Sequence, residues 1–254
     1  KGTIILVQLA NVAGFLGRSP FVNPIDGKNL NRSFPGKKDG TITEKIAHAI
    51  TKHVISKSDF FVDMHAGDSP EDLMPYNAWY SSEAFPDASQ KGKEMALSMG
   101  YDYAVIFQIP EERISKPSIY CSQEAFHRKI PTIDIECGRL GIPGTDETDK
   151  IVSSIFRLLA HLNMTAKTIE NEPKAPVIIE KRASIKSNHS GIFYSSYRSG
   201  DRVKNKEVLG YITDFFGNKL EDIVAPESGI LLYKIGTPPI NKGETLFSIG
   251  FLED

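Results

Sequence analysis

Short apolar runs alternate with helical segments through the first two thirds of the chain, and this alternation restricts the fold more than any other feature. Strand-like runs occupy residues 3–9, 59–64, 103–107 and 131–136. Helical segments occupy residues 41–54, 87–99, 118–128 and 146–162, and the first of them opens with a capping box. Strands that alternate with helices predict an α/β fold, with a mostly parallel or mixed sheet covered by helices.

The pattern changes after a Pro-flanked linker at 171–176. Short alternating runs separated by Gly and charged turns predict a small all-β, barrel-like domain, so we divide the chain into domains at 1–170 and 176–254. A weak repeat, Ser-Gly-Ile at 190–192 and again at 228–230, resembles lipoyl/biotinyl domains. Lys219 lies between the repeats without the Met, Asp or Ala neighbours of a modified lysine. We therefore predict that this domain carries no attached cofactor.

Composition excludes several classes of partner. The 254 residues carry a net charge of −2, which gives no electrostatic reason to expect binding to nucleic acid or to an anionic membrane. No stretch approaches the roughly 20 apolar residues of a membrane-spanning helix. Two cysteines, Cys121 and Cys137, are too few for a disulfide framework and are expected to be reduced thiols of a cytoplasmic protein.

An adjacent Asn-Arg pair lies in a turn-rich loop, Asp-Gly-Lys-Asn-Leu-Asn-Arg-Ser at 26–33. The guanidinium of Arg32 can form two hydrogen bonds to a carboxylate, while the amide of Asn31 contacts a second polar group. An ordinary surface turn is the alternative, because Asp-Gly forms turns in any protein. The pair is a candidate clamp for a substrate carboxylate.

A histidine ends the strand-like run 60–64. His65 therefore lies at the carboxyl end of a buried strand, where α/β sheets bind ligands, and a neutral imidazole is a common zinc ligand. Asp63 shares its side of the strand and can accept a hydrogen bond from it. The alternative is a structural His whose nitrogens contact loop backbone.

A glutamate ends the β-branched run 130–135 in the same way. Glu136 can act as a general base on a water molecule if burial or a neighbouring metal tunes its pKa. An exposed strand-end Glu is the alternative. Between the two strands, the long segment 66–85 contains Tyr76, Trp79 and Tyr80, which predicts either an aromatic rim on a binding loop or plain packing.

Three motifs in this order resemble the succinylglutamate desuccinylase/aspartoacylase family, a branch of the zinc carboxypeptidase-like hydrolases. They are Asp-Gly-Lys-Asn-Leu-Asn-Arg-Ser-Phe-Pro-Gly at 26–36, Val-Asp-Met-His at 62–65 and Asp-Ile-Glu-Cys-Gly at 134–138. The resemblance covers roughly residues 1–165 and implies a zinc-carboxypeptidase-like sheet.

The resemblance also implies roles for individual residues. Asn31 and Arg32 would clamp the substrate carboxylate, and His65 would be the last of three zinc ligands. Glu136 would be the general base. Arg18, in a loop of variable length, would polarise the scissile carbonyl.

One departure concerns the metal. The family takes two further zinc ligands from a His-x-x-Glu motif before the clamp, and none of the six histidines precedes residue 31. We therefore expect this chain to be part of a longer protein, with zinc bound in the intact enzyme and absent or weak here. A metal-free relative is the rival interpretation, because one His does not hold catalytic zinc.

The sequence thus predicts a zinc-dependent hydrolase that cleaves the amide bond of a small N-acyl amino acid or related amide. Its expected partner is a small-molecule substrate bearing a carboxylate. The alternatives are a metal-free binding or carrier-like protein on the same fold, and a carboxypeptidase. The sequence leaves open the acyl group, the amine and the oligomeric state.

Overall fold

The computed structural model describes residues 1–166 and 174–252, and the elements named below lie within them. The α-helices are Val12–Gly17 (α1), Ile42–His53 (α2), Pro86–Ser98 (α3), Glu111–Ile114 (α4), Cys121–His127 (α5) and Thr145–His161 (α6). The first strands are Phe61–His65 (β1), Glu71–Leu73 (β2), Tyr76–Ser81 (β3), Tyr103–Gln108 (β4), Thr132–Glu136 (β5) and Val177–Ile179 (β6). The later strands are Arg182–Lys186 (β7), Gly191–Tyr194 (β8), Arg202–Val203 (β9), Val208–Thr213 (β10), Lys219–Val224 (β11), Gly229–Ile235 (β12), Pro239–Ile240 (β13) and Thr245–Phe251 (β14).

Local sequence explains where the main helices begin and end. The predicted capping box opens α2, where Oε2 of Glu44 accepts a hydrogen bond from the backbone nitrogen of Thr41 at 2.8 Å. Pro86 occupies the first turn of α3, where its missing N–H costs nothing. Gly100, with φ +81°, follows the end of this helix. The helices predicted at 41–54, 87–99, 118–128 and 146–162 are all present.

The first sheet has five strands in the order β1-β5-β3-β4-β6. Three of its four pairings are parallel, and the pairing of β3 with β5 is antiparallel. One face packs against α3 and α6 through a core that includes Trp79, Met95, Ile133, Ile135 and Leu158. The predicted α/β class with a mixed, helix-covered sheet is confirmed.

Two antiparallel sheets form the C-terminal part, in the orders β11-β10-β8-β13 and β2-β12-β14-β7, with β9 pairing to β12. Their shared core includes Phe193, Leu209, Ile212, Phe247 and Ile249. The predicted all-β character of this part is confirmed. Among the described residues, no helix is both long and apolar enough to cross a bilayer.

The C-terminal sheets pack on the other face of the first sheet. Tyr76 and Val105 of the first sheet share a buried cluster with Ile230 and Leu232 of β12. Strands are also exchanged, since β2 pairs with β12 and β6 pairs with β4. The boundary between domains at 1–170 and 176–254 stays a proposal, and half of the predicted linker, residues 171–173, lies outside the described residues.

Two predictions about local structure were wrong. Residues 3–9 form no strand, and Ile4, Ile5, Leu6, Val7 and Leu9 are exposed, because this segment pairs with no described strand. The segment 66–85 is not one long loop, since it contains β2 and β3.

The aromatic residues of β3 do not form a rim. Trp79, Tyr76 and Tyr80 are 3%, 5% and 6% exposed and lie within the sheet. Plain packing, the alternative to an aromatic rim, is therefore the correct interpretation.

Candidate active site

Four polar side chains from two neighbouring strands share one face of the first sheet. The parallel register of β1 and β5 places His65 beside Glu136 and Asp63 beside Asp134. Because side chains alternate between the two faces of a strand, residues two apart lie on the same side. His65 and Glu136 are the last residues of their strands, so they lie at the edge where open α/β sheets bind ligands.

Asp63 contacts the imidazole, as expected. Nε2 of His65 lies 3.3 Å from Oδ2 of Asp63, and 31% of the His65 side chain is exposed. Burial lowers the pKa of His65, but the carboxylates of Asp63, Glu136 and Asp134 outweigh this effect and raise it to about 10. The described surroundings therefore favour a protonated imidazole.

Asp134 lies deeper in the same group and is 4% exposed. Its Oδ2 accepts hydrogen bonds from the Tyr80 hydroxyl at 3.0 Å and from Oγ of Ser122 at 3.3 Å. Its Oδ1 is buried without a hydrogen-bond partner in the described residues. Burial, with a further contribution from Asp63, raises the pKa of Asp134 to about 8.

The surroundings of Glu136 change its pKa. Burial raises its pKa to about 7, although the charge of His65 opposes this effect. Glu71 and Asp63 raise the pKa further, and Arg182 lowers it. A carboxyl group with a pKa near 7 can both accept and release a proton at neutral pH.

The predicted clamp is held by the start of α5. The backbone nitrogen of Cys121 donates to Oδ1 of Asn31 at 2.8 Å. Phe34, just after the clamp, packs with Phe61 of β1 and with Cys121 in one buried cluster. The loop that carries Asn31 is therefore anchored beside the strand that carries His65.

Arg32 is exposed and stacked on an aromatic ring. Its Cζ lies 4.5 Å from the centroid of the Tyr120 ring, and its Nη1 donates to the carbonyl oxygen of Asn31 at 2.6 Å. Arg32 also lines an open cavity of about 330 Å³, together with Lys28, Asn29, Ser33, Phe34 and Glu44. Neither His65 nor Glu136 lines this cavity. The clamp is joined to their strands through α5, because Cys121 donates to Asn31 and Ser122 donates to Asp134.

Arg18 is exposed at the end of α1, in a left-handed conformation with φ 49°. The segment that follows it is tied to the loop after β1, because the backbone nitrogen of Phe21 donates to Oδ2 of Asp68 at 3.0 Å. Arg18 thus lies on a segment next to the His65 loop, and no described contact joins its side chain to His65 or Glu136.

The described residues do not fit a catalytic zinc ion by themselves. Within residues 1–166 and 174–252, no group of three or more His, Cys, Asp or Glu side chains is arranged to hold a metal. Catalytic zinc normally has three protein ligands and one open position. His65 is one candidate ligand, and its Nε2 faces Asp63.

Sequence patterns missed two charged residues near these strand ends. The charge of Glu71, in β2, acts on both His65 and Glu136. Arg182, the first residue of β7, lies with its Cζ 4.4 Å from the centroid of the Phe107 ring. Neither has a local sequence signal, because β2 and β7 are held here by pairing with β12 and β14 of the C-terminal part.

Comparison with known proteins adds a family and several relatives. The family model described as the succinylglutamate desuccinylase/aspartoacylase catalytic domain matches residues 1–162. The N-alpha-acetyl-L-2,4-diaminobutyric acid deacetylase of Halomonas elongata is 26% identical over 255 residues, which cover 97% of this chain and 71% of that protein.

Two solved structures are similar in fold. The product-bound ectoine utilization protein EutE (DoeB) from Ruegeria pomeroyi aligns with a TM-score of 0.83 at 21% identity, over 95% of this chain and 73% of its own. The succinylglutamate desuccinylase/aspartoacylase from Rhodobacter sphaeroides aligns with a TM-score of 0.81 at 20% identity, over 96% of this chain and 74% of its own.

Proposed function

Because this chain belongs to the succinylglutamate desuccinylase/aspartoacylase family, we propose that it hydrolyses the amide bond of a small N-acyl amino acid or a related amide. The proposal rests above all on the adjacency of His65 and Glu136 at the ends of two parallel strands. The pKa of Glu136, about 7, suits a group that takes up and releases a proton at neutral pH.

The chain's own side chains divide the work as follows. Glu136 takes a proton from the attacking water, the water oxygen bonds to the amide carbon, and the carbon–nitrogen bond then breaks. Glu136 returns the proton to the leaving nitrogen, so the products are a free amine and a carboxylate. Arg18 stabilises the negative charge on the former carbonyl oxygen. Arg32, with Asn31, holds the substrate carboxylate.

Zinc dependence is the finer part of this proposal. His65 is placed to supply one ligand, yet the described residues do not supply a set of three. Glu136, Arg18 and Arg32 therefore act on the water and the substrate by their own side chains. Zinc, where bound, would supply a Lewis acid at this edge of the sheet. Activity measured with added zinc and with a chelator tests the requirement.

The names of the relatives select the substrates to assay first. The Halomonas protein is named for N-acetylated 2,4-diaminobutyrate, and the family is named for succinylglutamate and for acylated aspartate. We expect one of these three classes to release a free amine with the wild-type chain. Glu136→Gln should abolish most of the release, and Glu83→Gln, at an exposed glutamate outside the site, should not. No release from any class by the intact protein, with or without zinc, would refute the deacylase.

A metal-free binding protein on the same fold is the second candidate. It is favoured by one observation, the absence of a three-ligand group among the described residues. This alternative predicts that the same compounds bind without being hydrolysed, as calorimetry would measure.

We also propose a cytoplasmic location for the protein. It is supported by Cys121 and Cys137, which are buried free thiols.

A further inference from the structure

A buried polar cluster joins the loop after Glu136 to the C-terminal part of the chain. It consists of Arg139, Asp72 and Ser199. Nη1 of Arg139 donates to Oδ1 of Asp72 at 2.8 Å, to Oγ of Ser199 at 2.7 Å and to the carbonyl oxygen of Ser199 at 3.2 Å. Asp72 and Ser199 are 8% and 5% exposed, so the acceptors of these bonds are shielded from water, while 33% of the Arg139 side chain is exposed.

Asp72 is the centre of the cluster. Besides Arg139, it accepts hydrogen bonds from the backbone nitrogen of Ser199 at 2.9 Å and from its hydroxyl at 2.8 Å. Asp72 also lies in β2, directly opposite Lys234 of β12. The carboxylate therefore binds one group from the Glu136 loop and two from the segment before β9.

The cluster continues into the backbone on which the site depends. The backbone nitrogen of Cys137 donates to the carbonyl oxygen of His65 at 3.0 Å, and that of Gly67 donates to Gly138 at 2.9 Å. The backbone nitrogen of Leu140 donates at 2.8 Å to the carbonyl oxygen of Glu71, the residue before Asp72. The loops that follow His65 and Glu136 are thus joined to each other and then to the cluster.

Hydrogen bonds restrain the backbone between Glu136 and Arg139, because Cys137 donates to His65 and Gly138 accepts from Gly67. Gly138 has φ +127°, and an added Cβ would lie 2.9 Å from Cβ of Ala66, so this path of the chain requires glycine. We expect a shift of the Arg139 backbone to strain these bonds and to reach Glu136, three residues earlier.

We infer that Arg139 is a positioning residue, which uses Asp72 and Ser199 to make the C-terminal part hold Glu136 beside His65. This inference rests on the proposed function, because positioning matters only where Glu136 acts on a substrate. It assigns a catalytic contribution to the C-terminal part without placing any of its residues on the reacting atoms. Small displacements of a catalytic group reduce rate far more than binding.

Kinetics of purified variants of the full chain test the inference. Arg139→Ala should lower kcat by about tenfold to a hundredfold and leave KM within about twofold. Arg139→Lys, which keeps the charge, should recover part of the loss. Ser199→Ala should lower kcat in the same way, and adding it to Arg139→Ala should cost little more, since both remove one linked set of bonds.

A matched control separates positioning from general stability. Arg128→Ala removes another charged pair, in which Nη2 of Arg128, the residue after α5, lies 2.6 Å from Oε1 of Glu124 in α5. It should lower the melting temperature without changing kcat, measured well below that temperature. If Arg139→Ala does likewise, the role is structural only and the inference fails. If Arg139→Ala does not fold, Arg139→Lys and Ser199→Ala decide between the same two outcomes.

Hydrogen exchange gives a readout that does not need turnover. We expect faster amide exchange in segments 66–72 and 137–141 of Arg139→Ala or Ser199→Ala, and unchanged exchange there in Arg128→Ala. Should the wild type hydrolyse no N-acyl amino acid, the proposed function fails, and exchange alone then decides whether the cluster orders these loops. Active wild type with unchanged kcat and unchanged exchange in the variants would overturn the inference.

Discussion

Oδ1 of Asn31 accepts a hydrogen bond from the backbone nitrogen of Cys121 at 2.8 Å, across 90 residues of sequence. Cys121 is the first residue of α5, and the preceding residue, Tyr120, provides no side-chain cap. A helix start has backbone N–H groups that need partners outside the helix. Asn31 therefore caps a helix far along the chain, which fixes Asn31 beside the sheet.

The first prediction separates the capping and clamping roles of Asn31. Asn31→Ala loses the hydrogen bond, so we expect a loss of about 1 kcal/mol in the free energy of unfolding and a raised KM. Asn31→Asp keeps an acceptor at the helix start and should keep that stability. Its negative charge beside Arg32 should nonetheless raise KM for a carboxylate substrate. Urea denaturation and steady-state kinetics measure both, and one KM shared by all three proteins would contradict the clamp.

The second prediction concerns Arg32. The guanidinium stacks on Tyr120, and Arg32→Lys replaces its two-pronged contact with a point charge. We expect kcat/KM for a substrate with a free carboxylate to fall by an amount that corresponds to a loss of at least about 2 kcal/mol in transition-state stabilisation. The same substitution should have little effect on a substrate whose carboxylate is replaced by a carboxamide. An equal loss on both substrates would place the role of Arg32 elsewhere.

The third prediction concerns Glu136. Glu136→Gln should lower kcat by about 100-fold, within the usual range for a general base, without changing any metal content. Because the base must be ionised and its pKa is about 7, wild-type kcat/KM should rise as pH increases towards 7 and then level off. The residual kcat/KM of Glu136→Gln should not rise over this pH range. If it still rises, the titrating group is a residue other than Glu136.

The fourth prediction concerns stability and pH. Burial raises the pKa of Asp134 from 3.8 to about 8, and that of Glu136 from 4.5 to about 7. For His65, the carboxylates outweigh burial and raise the pKa from 6.5 to about 10. In each case the folded state binds the proton more tightly than the unfolded state, so the contribution to stability is present at low pH and is lost as pH rises.

The free energy of unfolding, measured in urea, should therefore fall between pH 5 and pH 9. Asp134→Asn removes one of the titrating groups and should make the fall less steep, as should Glu136→Gln. An exposed control, Asp39→Asn, should leave the slope unchanged. A free energy of unfolding that rises over this interval would show that these three groups do not dominate.

Sequence patterns located the four longest described helices, α2, α3, α5 and α6, because their signals are local, and they missed the short helices α1 and α4. The capping box of Thr41 and Glu44 and the apolar stripe behind it lie within a few turns of each other, and α2 begins where they predict. The strands that end in His65 and Glu136 were equally visible, since each is a short apolar run closed by a polar residue.

Other strands could not be predicted, because a strand needs a lateral partner that the local pattern does not name. β2 is three residues long and pairs with residues 233–235, far along the chain. The apolar segment 3–9 has the pattern of a strand but pairs with no described strand. Arg139 was missed for the same reason, since its partner Ser199 comes from the C-terminal part.

The pairing of β2 with β12 also determines when the site can be completed during synthesis. Residues 71–73 leave the ribosome long before residues 229–235, so Asp72 at first has neither a strand opposite it nor Ser199 beside it. Until then β2 offers an unpaired edge to other nascent chains, a common route to aggregation. A chain released before residue 229 should therefore aggregate and be inactive, even with His65 and Glu136 present.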